Sequence, residues 1–380
     1  MRLPSACLTA CLALLVFAAA CDRKTEAPAP AQSEITEIAE APVSDELPGL
    51  PGAATGIAFW DHPRLSFNST LIVATSAGVV SYNMEDGNEV SRIDGFNADG
   101  VAAGYLGEGA QAAGFIAFLD ADENQFRFYG IDNESRAFIP LEGAPSQRGA
   151  VRGYCMGRGP GVEASSLYVI QKGKVDVFNL AATEGGITVE NETKLETPDN
   201  LISCELDIDG RLLVASDKGE IYRIDGEDAF RTPLARSGAA AAAVLSVIGA
   251  RIVSENPDDA PASTGQILLA DLSNGVIHVF ESLSGNSLGA VKISATDELS
   301  AVDGGEAFSA SAANFGGLYR NGVVAFGVAN GADGPVISLM PVSSLRNALS
   351  LPVGEPVSSR RETTEVNDSD LIIEPSFTPQ

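Results

Sequence analysis

STLIVATSAGVVSYNM, residues 69–84, is the stretch on which the fold of this chain turns. An apolar run, a small-residue turn at Ser76-Ala77-Gly78 and a second run of alternating pattern make a β-hairpin too apolar on both faces to stand alone. The arrangement recurs downstream as GFIAFLDADENQFRFYGI (114–131), SLYVIQKGKVDVFNL (166–180), RLLVASDKGEIYRI (211–224), GQILLADLSNGVIHVF (265–280) and NGVVAFGVANGADGPVISLM (321–340). The six copies start about 45 to 55 residues apart, a period that belongs to propellers and solenoids. Each hairpin must pack face to face with its neighbours around an axis, and the gaps leave room for two further strands per blade. The sequence therefore predicts an all-β fold, a six-bladed β-propeller over residues 52–352. An open sandwich of the same strands is the competing fold, but it needs no even spacing. The alanine run at 239–243 has helical propensity, yet its place in the repeat predicts the inner strand of a blade.

Upstream, Arg2, a short apolar run over residues 6–20 and small residues up to Cys21 have the order of a secretory signal. The run is too short for a comfortable membrane-spanning helix, which needs about 20 apolar residues. The Ala-Ala-Ala-Cys junction resembles a lipobox, so residues 1–20 are read as a lipoprotein signal peptide and Cys21 as the lipidated residue. Residues 21–51, rich in Ala, Pro and Glu, are expected to form a flexible linker, and residues 353–380 a polar, disordered tail. On this reading the protein is exported, lipid-anchored to a bacterial membrane and faces the periplasm or the cell surface. Cys7 and Cys11 leave with the signal, so Cys155 and Cys204 alone remain in the folded domain. In an oxidising compartment they form one disulfide, or they are two separate buried thiols; both stay open.

With 51 acidic against 24 basic residues the net charge is −27, which argues against nucleic acid as a partner and against direct adhesion to anionic lipid. Two histidines give no cluster of the kind zinc or iron enzymes use. An acidic exported protein can collect calcium, which prefers oxygen ligands. Asp120, Asp122 and Glu123, at a hairpin tip, are candidate Ca²⁺ ligands, although they lack the glycine and distant glutamate of an EF-hand loop.

Three blocks carry a family resemblance. AFWDHP (58–63) with LIVATSAGVVSYNMEDG (71–87), VRGYC (151–155) followed by SLYVIQKGKVDVFNL and SCELDIDGRLLVASDKGEIYRI (203–224), and AANFGGLYRNGVVAF (312–326) resemble the β-propeller phytases in order and spacing. That resemblance implies a phytase-like propeller and a calcium-dependent phosphatase acting on inositol hexakisphosphate, its channel acids holding the ions that grip phosphate and activate water.

The departures fall on those acids. Where the family opens its first block with paired aspartates, this chain has Thr55 and Gly56. Ile202, Ser203 and Cys204 stand at one channel glutamate's block, and Ala241, Ala242 and Ala243 at another. Ser76-Ala77-Gly78 and Phe118-Leu119 stand where the family grips phosphate with lysines and an Asn-Arg pair. The remaining candidates for a rearranged catalytic site are Asp99, Glu205, Asp217, Asp303 and Glu306. The expectation is an envelope lipoprotein whose propeller binds a protein, or a small anionic ligand with Ca²⁺, without catalysis. The alternative is a calcium-dependent 3-phytase or phosphatase.

Overall fold

Each of the six hairpins forms the two middle strands of a blade. The computed structural model describes residues 38–357 except 63–64, 66–67, 106–113, 144, 146–148, 158–164, 184, 225–228, 231, 239–242, 253–261, 303, 332–333 and 353–354. The signal segment, Cys21, most of the expected linker and the tail beyond 357 lie outside the described residues.

Blade one runs outward as Ala54–Trp60, Thr70–Thr75, Gly78–Asn83 and Glu89–Asp94, each strand antiparallel to the last. Blade two repeats this with Ala98–Gly104, Gly114–Asp120, Gln125–Ile131 and Phe138–Leu141. Blade three has Gly153–Gly157, Ser166–Gln171, Lys174–Thr183 and Gly186–Glu196, and blade four has Leu201–Leu206, Leu212–Ser216, Glu220–Arg223 and Ala235–Arg236. Blade five is built on Ala243–Ile252, Ala262–Asp271, Val276–Glu281 and Ser287–Ser294. Blade six draws Ala307–Ser311, Val323–Gly331 and Gly334–Pro341 from the end of the chain. The expected inner strand at the alanine run begins at Ala243, and residues 239–242 lie outside the described residues.

The fourth strand of blade six comes from the other end of the chain. Asp45–Leu47 pairs antiparallel with Gly334–Pro341, and Ile38–Pro42 adds in parallel to Ser287–Ser294 of blade five. This corrects the expected linker, whose last part is folded: Ala41, Val43, Leu47 and Leu50 are buried. Those few apolar residues cannot make a core alone, but they complete cores that blades five and six already hold. The C-terminal boundary moves as well. After the helix Val342–Ala348, Glu355–Val357 pairs with Gly249–Arg251 on the inner strand of blade five. Among the described residues no helix is long and apolar enough to cross a membrane.

The second strands of blades one to four are buried along their whole length, as in Thr70–Thr75 and Ser166–Gln171, because each blade is covered on both faces. The core is accordingly a ring of six apolar clusters, one at each interface between successive blades. Phe59, Leu71 and Val73 of blade one meet Val323, Ala325 and Ile337 of blade six, which closes the ring. Burying one such large side chain contributes about 1.5–3 kcal/mol. The turn of the first hairpin needs its glycine: Gly78 has φ +143°, and a Cβ there would sit 2.0 Å from the Ile93 carbonyl oxygen.

Candidate functional site

The six inner strands converge on an axial channel with a cavity of about 230 Å³. Its wall is formed by residues 55–58 of blade one, 99–103 of blade two, 151–156 before and in blade three, 202–205 of blade four, 244–245 of blade five and 306–309 at blade six. Four of these residues are charged: Asp99, Arg152, Glu205 and Glu306. The rest are small, hydroxylic or apolar.

Convergence brings backbone groups of neighbouring inner strands too close to leave unpaired, since a buried orphan costs about 1–3 kcal/mol. Side chains in the wall bridge them. Thr55 Oγ1 donates to the Ala98 carbonyl at 2.6 Å and accepts from Gly100 N at 3.4 Å, joining blades one and two. Here two backbones nearly touch: a Cβ on Gly56 would lie 2.5 Å from Gly100 Cα. Between blades two and three, the Tyr154 hydroxyl donates to the Asp99 carbonyl at 3.0 Å and accepts from Leu119 N at 3.1 Å. Burial pushes the Tyr154 phenol well above its ordinary pKa, so it stays protonated and able to donate.

Blades three and four are joined covalently by Cys155–Cys204, with Cα atoms 5.6 Å apart. Ser203 Oγ then accepts from Leu245 N at 3.0 Å, and Ser246 Oγ both donates to the Ala310 carbonyl and accepts from Ala310 N at 3.0 Å. These carry the stitching through blades four, five and six. The remaining seam, blade six to blade one, is packed by Phe59 against Phe315, ring centroids 5.3 Å apart.

Of the five candidate catalytic carboxylates, Asp99, Glu205 and Glu306 line the channel. Asp99 and Glu306 are exposed, whereas Glu205 is buried with Oε1 accepting from Leu206 N at 3.1 Å. Asp217 does not join them. It sits on the exposed turn after Leu212–Ser216, and its Oδ1 accepts from Asn200 Nδ2 at 3.2 Å. Asp303 lies outside the described residues. Among the described residues no three His, Cys, Asp or Glu side chains are grouped to hold a metal ion.

The candidate Ca²⁺ ligands at the blade two hairpin tip face a cation already in the chain. Arg127 pairs with Asp120 at 3.3 Å and with Glu123, while Asp122 accepts from Asn97 Nδ2 at 3.0 Å. Arg127 also lies 5.4 Å from the centre of the Phe96 ring. Each of the three carboxylates accepts from a protein donor. Arg152 is the channel residue that sequence reasoning missed, and its guanidinium donates to the Asp199 carbonyl. The bridging roles of Thr55, Tyr154, Ser203 and Ser246 were missed as well, because hydroxyls scattered over inner strands show no period.

No family model matches the chain, and no curated protein matches it. Among solved structures it is similar to Kluyveromyces lactis Hsv2, with 14% identity, 72% of this chain and 71% of that chain covered, and a TM-score of 0.37. It is also similar to the Myceliophteria thermophila Cps50 (Swd1) β-propeller domain, with 12% identity, 78% and 86% covered, and a TM-score of 0.39. None of these comparisons supports the phytase family, and the six-bladed propeller rests on the strand order described above.

Proposed function

We propose that this chain is a lipid-anchored envelope protein whose phytase-like propeller binds a ligand or a partner protein and does not hydrolyse phosphate esters. One observation carries the reading. In the blocks where the phytase resemblance implies channel carboxylates, Thr55, Ser203 and Cys204 commit their side chains to holding neighbouring blades together. A wall whose side chains serve as stitching keeps the scaffold and gives up the oxygen ligands that calcium and phosphate require. Export is supported by the Ala-Ala-Ala-Cys junction and by the Cys155–Cys204 bond, which belongs to an oxidising compartment. Mass spectrometry of the native N-terminus is expected to find diacylglycerol on Cys21, and an unmodified N-terminus elsewhere removes the anchor from the proposal.

A second reading, a calcium-dependent phosphatase, is favoured by the shared lining position of Asp99, Glu205 and Glu306. One assay separates the two. The purified protein, incubated with inositol hexakisphosphate over a series of calcium concentrations, is expected to release no phosphate. Calcium-dependent release that Glu306→Gln abolishes would establish the phosphatase instead.

A further inference from the structure

Away from the channel, blades six and one enclose a groove of about 330 Å³. One wall is the N-terminal edge strand Asp45–Leu47, the other the turn at residues 83–87 of blade one, and the loop Gly316–Tyr319 forms the lip. Every charged residue lining it is acidic: Asp45, Glu46, Glu85 and Asp86. None of the four is ion-paired among the described residues. The Asn88 backbone N–H, aided by the Asn88 side chain, holds the Asp86 carboxyl below its usual range, so it is ionised at neutral pH.

Between the carboxylates the surface is apolar. Leu47 and Met84 are buried at the base, while Leu318 stands at the lip with 61% of its surface exposed. Gly316 and Gly317 leave open space where side chains would be, so an incoming backbone can approach the loop closely. Among the described residues the edge strand Asp45–Leu47 is the outermost strand of its sheet and pairs only with Gly334–Pro341. An open strand edge accepts an extended chain.

We propose that this groove docks an extended segment of a partner protein that carries one apolar side chain flanked by lysines or arginines. The apolar side chain covers Leu318 and reaches toward Met84, whose thioether adapts to its shape. The flanking cations answer four carboxylates in a lining without a basic residue, where Arg136 acts on Asp86 only as a minor charge from outside the groove. The inference rests on the groove alone and is independent of what the channel does.

The test is fluorescence anisotropy of the full chain with labelled heptapeptides. The probe is Lys-Arg-Ser-Leu-Ser-Arg-Lys, and the comparison peptide has the leucine replaced by serine. Four residues of the protein are varied as two pairs, Glu85→Lys with Asp86→Lys in the groove and Glu190→Lys with Glu196→Lys on the exposed outer strand of blade three, across the ring. Reversal in the groove is expected to weaken the leucine peptide about tenfold or more, and reversal at the distant pair less than about twofold. Leu318→Ser is expected to weaken it about fivefold with little effect on the serine peptide. Equal weakening by the two charge reversals, or equal affinity for the two peptides, overturns the proposal. Either result means that the basic peptide responds to the overall −27 charge and not to this groove.

Discussion

Single residues show where the chain is held and where it is strained chemically. Tyr82 packs at the blade six–blade one interface, and its buried hydroxyl has no hydrogen-bond partner among the described residues. Burial, aided by the Glu89 carboxylate, pushes its phenol up to about 12. The native state thus keeps a proton that the unfolded chain gives up near pH 10. Stability from this group is full below pH 10 and is lost as pH rises toward 12, by about 1.4 kcal/mol per pH unit. Tyr82→Phe removes both effects. Urea unfolding at pH 7 is expected to show unchanged or higher stability, by up to about 1 kcal/mol, and a shallower fall between pH 10 and 12. A loss above about 1 kcal/mol at pH 7 would mean that the hydroxyl has a partner after all. At this scale the site was partly legible. Of the candidate carboxylates, Asp99, Glu205 and Glu306 line the channel, while Asp217 lies on a turn where it accepts from Asn200, because sequence does not say which end of a blade a turn occupies.

At the scale of elements, the strands Ile38–Pro42 and Asp45–Leu47 were the least visible in the sequence. Their apolar residues are few and diluted by Pro and Glu, so composition reads them as a tether. Their stability comes from sheet edges some 250 to 300 residues away in the chain, at Ala290–Ser294 and Ile337–Leu339. Their removal should therefore be severe. Burial of Val43 and Leu47 is worth about 1.5–3 kcal/mol each, and the lost ladder bonds add to that, against a total stability of about 5–15 kcal/mol. A chain beginning at Ser33 is expected to unfold in one cooperative transition. A chain beginning at Pro48 is expected to give no soluble folded product. Equal midpoints for the two in urea would show that the strands are ornamental. The disulfide belongs to this scale too: sequence left one bond and two separate thiols equally open, and the adjacent inner strands of blades three and four bring the sulfurs together.

The whole molecule is a closed ring, and closure explains both what could be read in advance and what could not. Six hairpins at an even period, each apolar on both faces, pointed to an all-β propeller of six blades, because a closed ring covers both faces of every unit and an open sandwich needs no even spacing. The expectation of a channel without paired carboxylates came from the phytase resemblance alone, as departures at Thr55, Gly56 and residues 202–204 and 241–243 from the acids it implies. Three things waited for the tertiary structure. The first is the last strand of blade six, taken from the start of the chain, since the demand for a strand arises only when both ends of the ring meet. The second is the use of Thr55, Tyr154, Ser203 and Ser246 as stitches between blades, since a hydroxyl finds its backbone partner across a seam that sequence distance does not encode. The third is the acidic groove, whose carboxylates come from residues 45–46 and 85–86 and whose exposed leucine comes from residue 318. Local pattern determined the repeating unit because hydrophobic periodicity is a property of neighbours along the chain. Closure, stitching and groove are contacts between distant segments, and only the folded ring decided them.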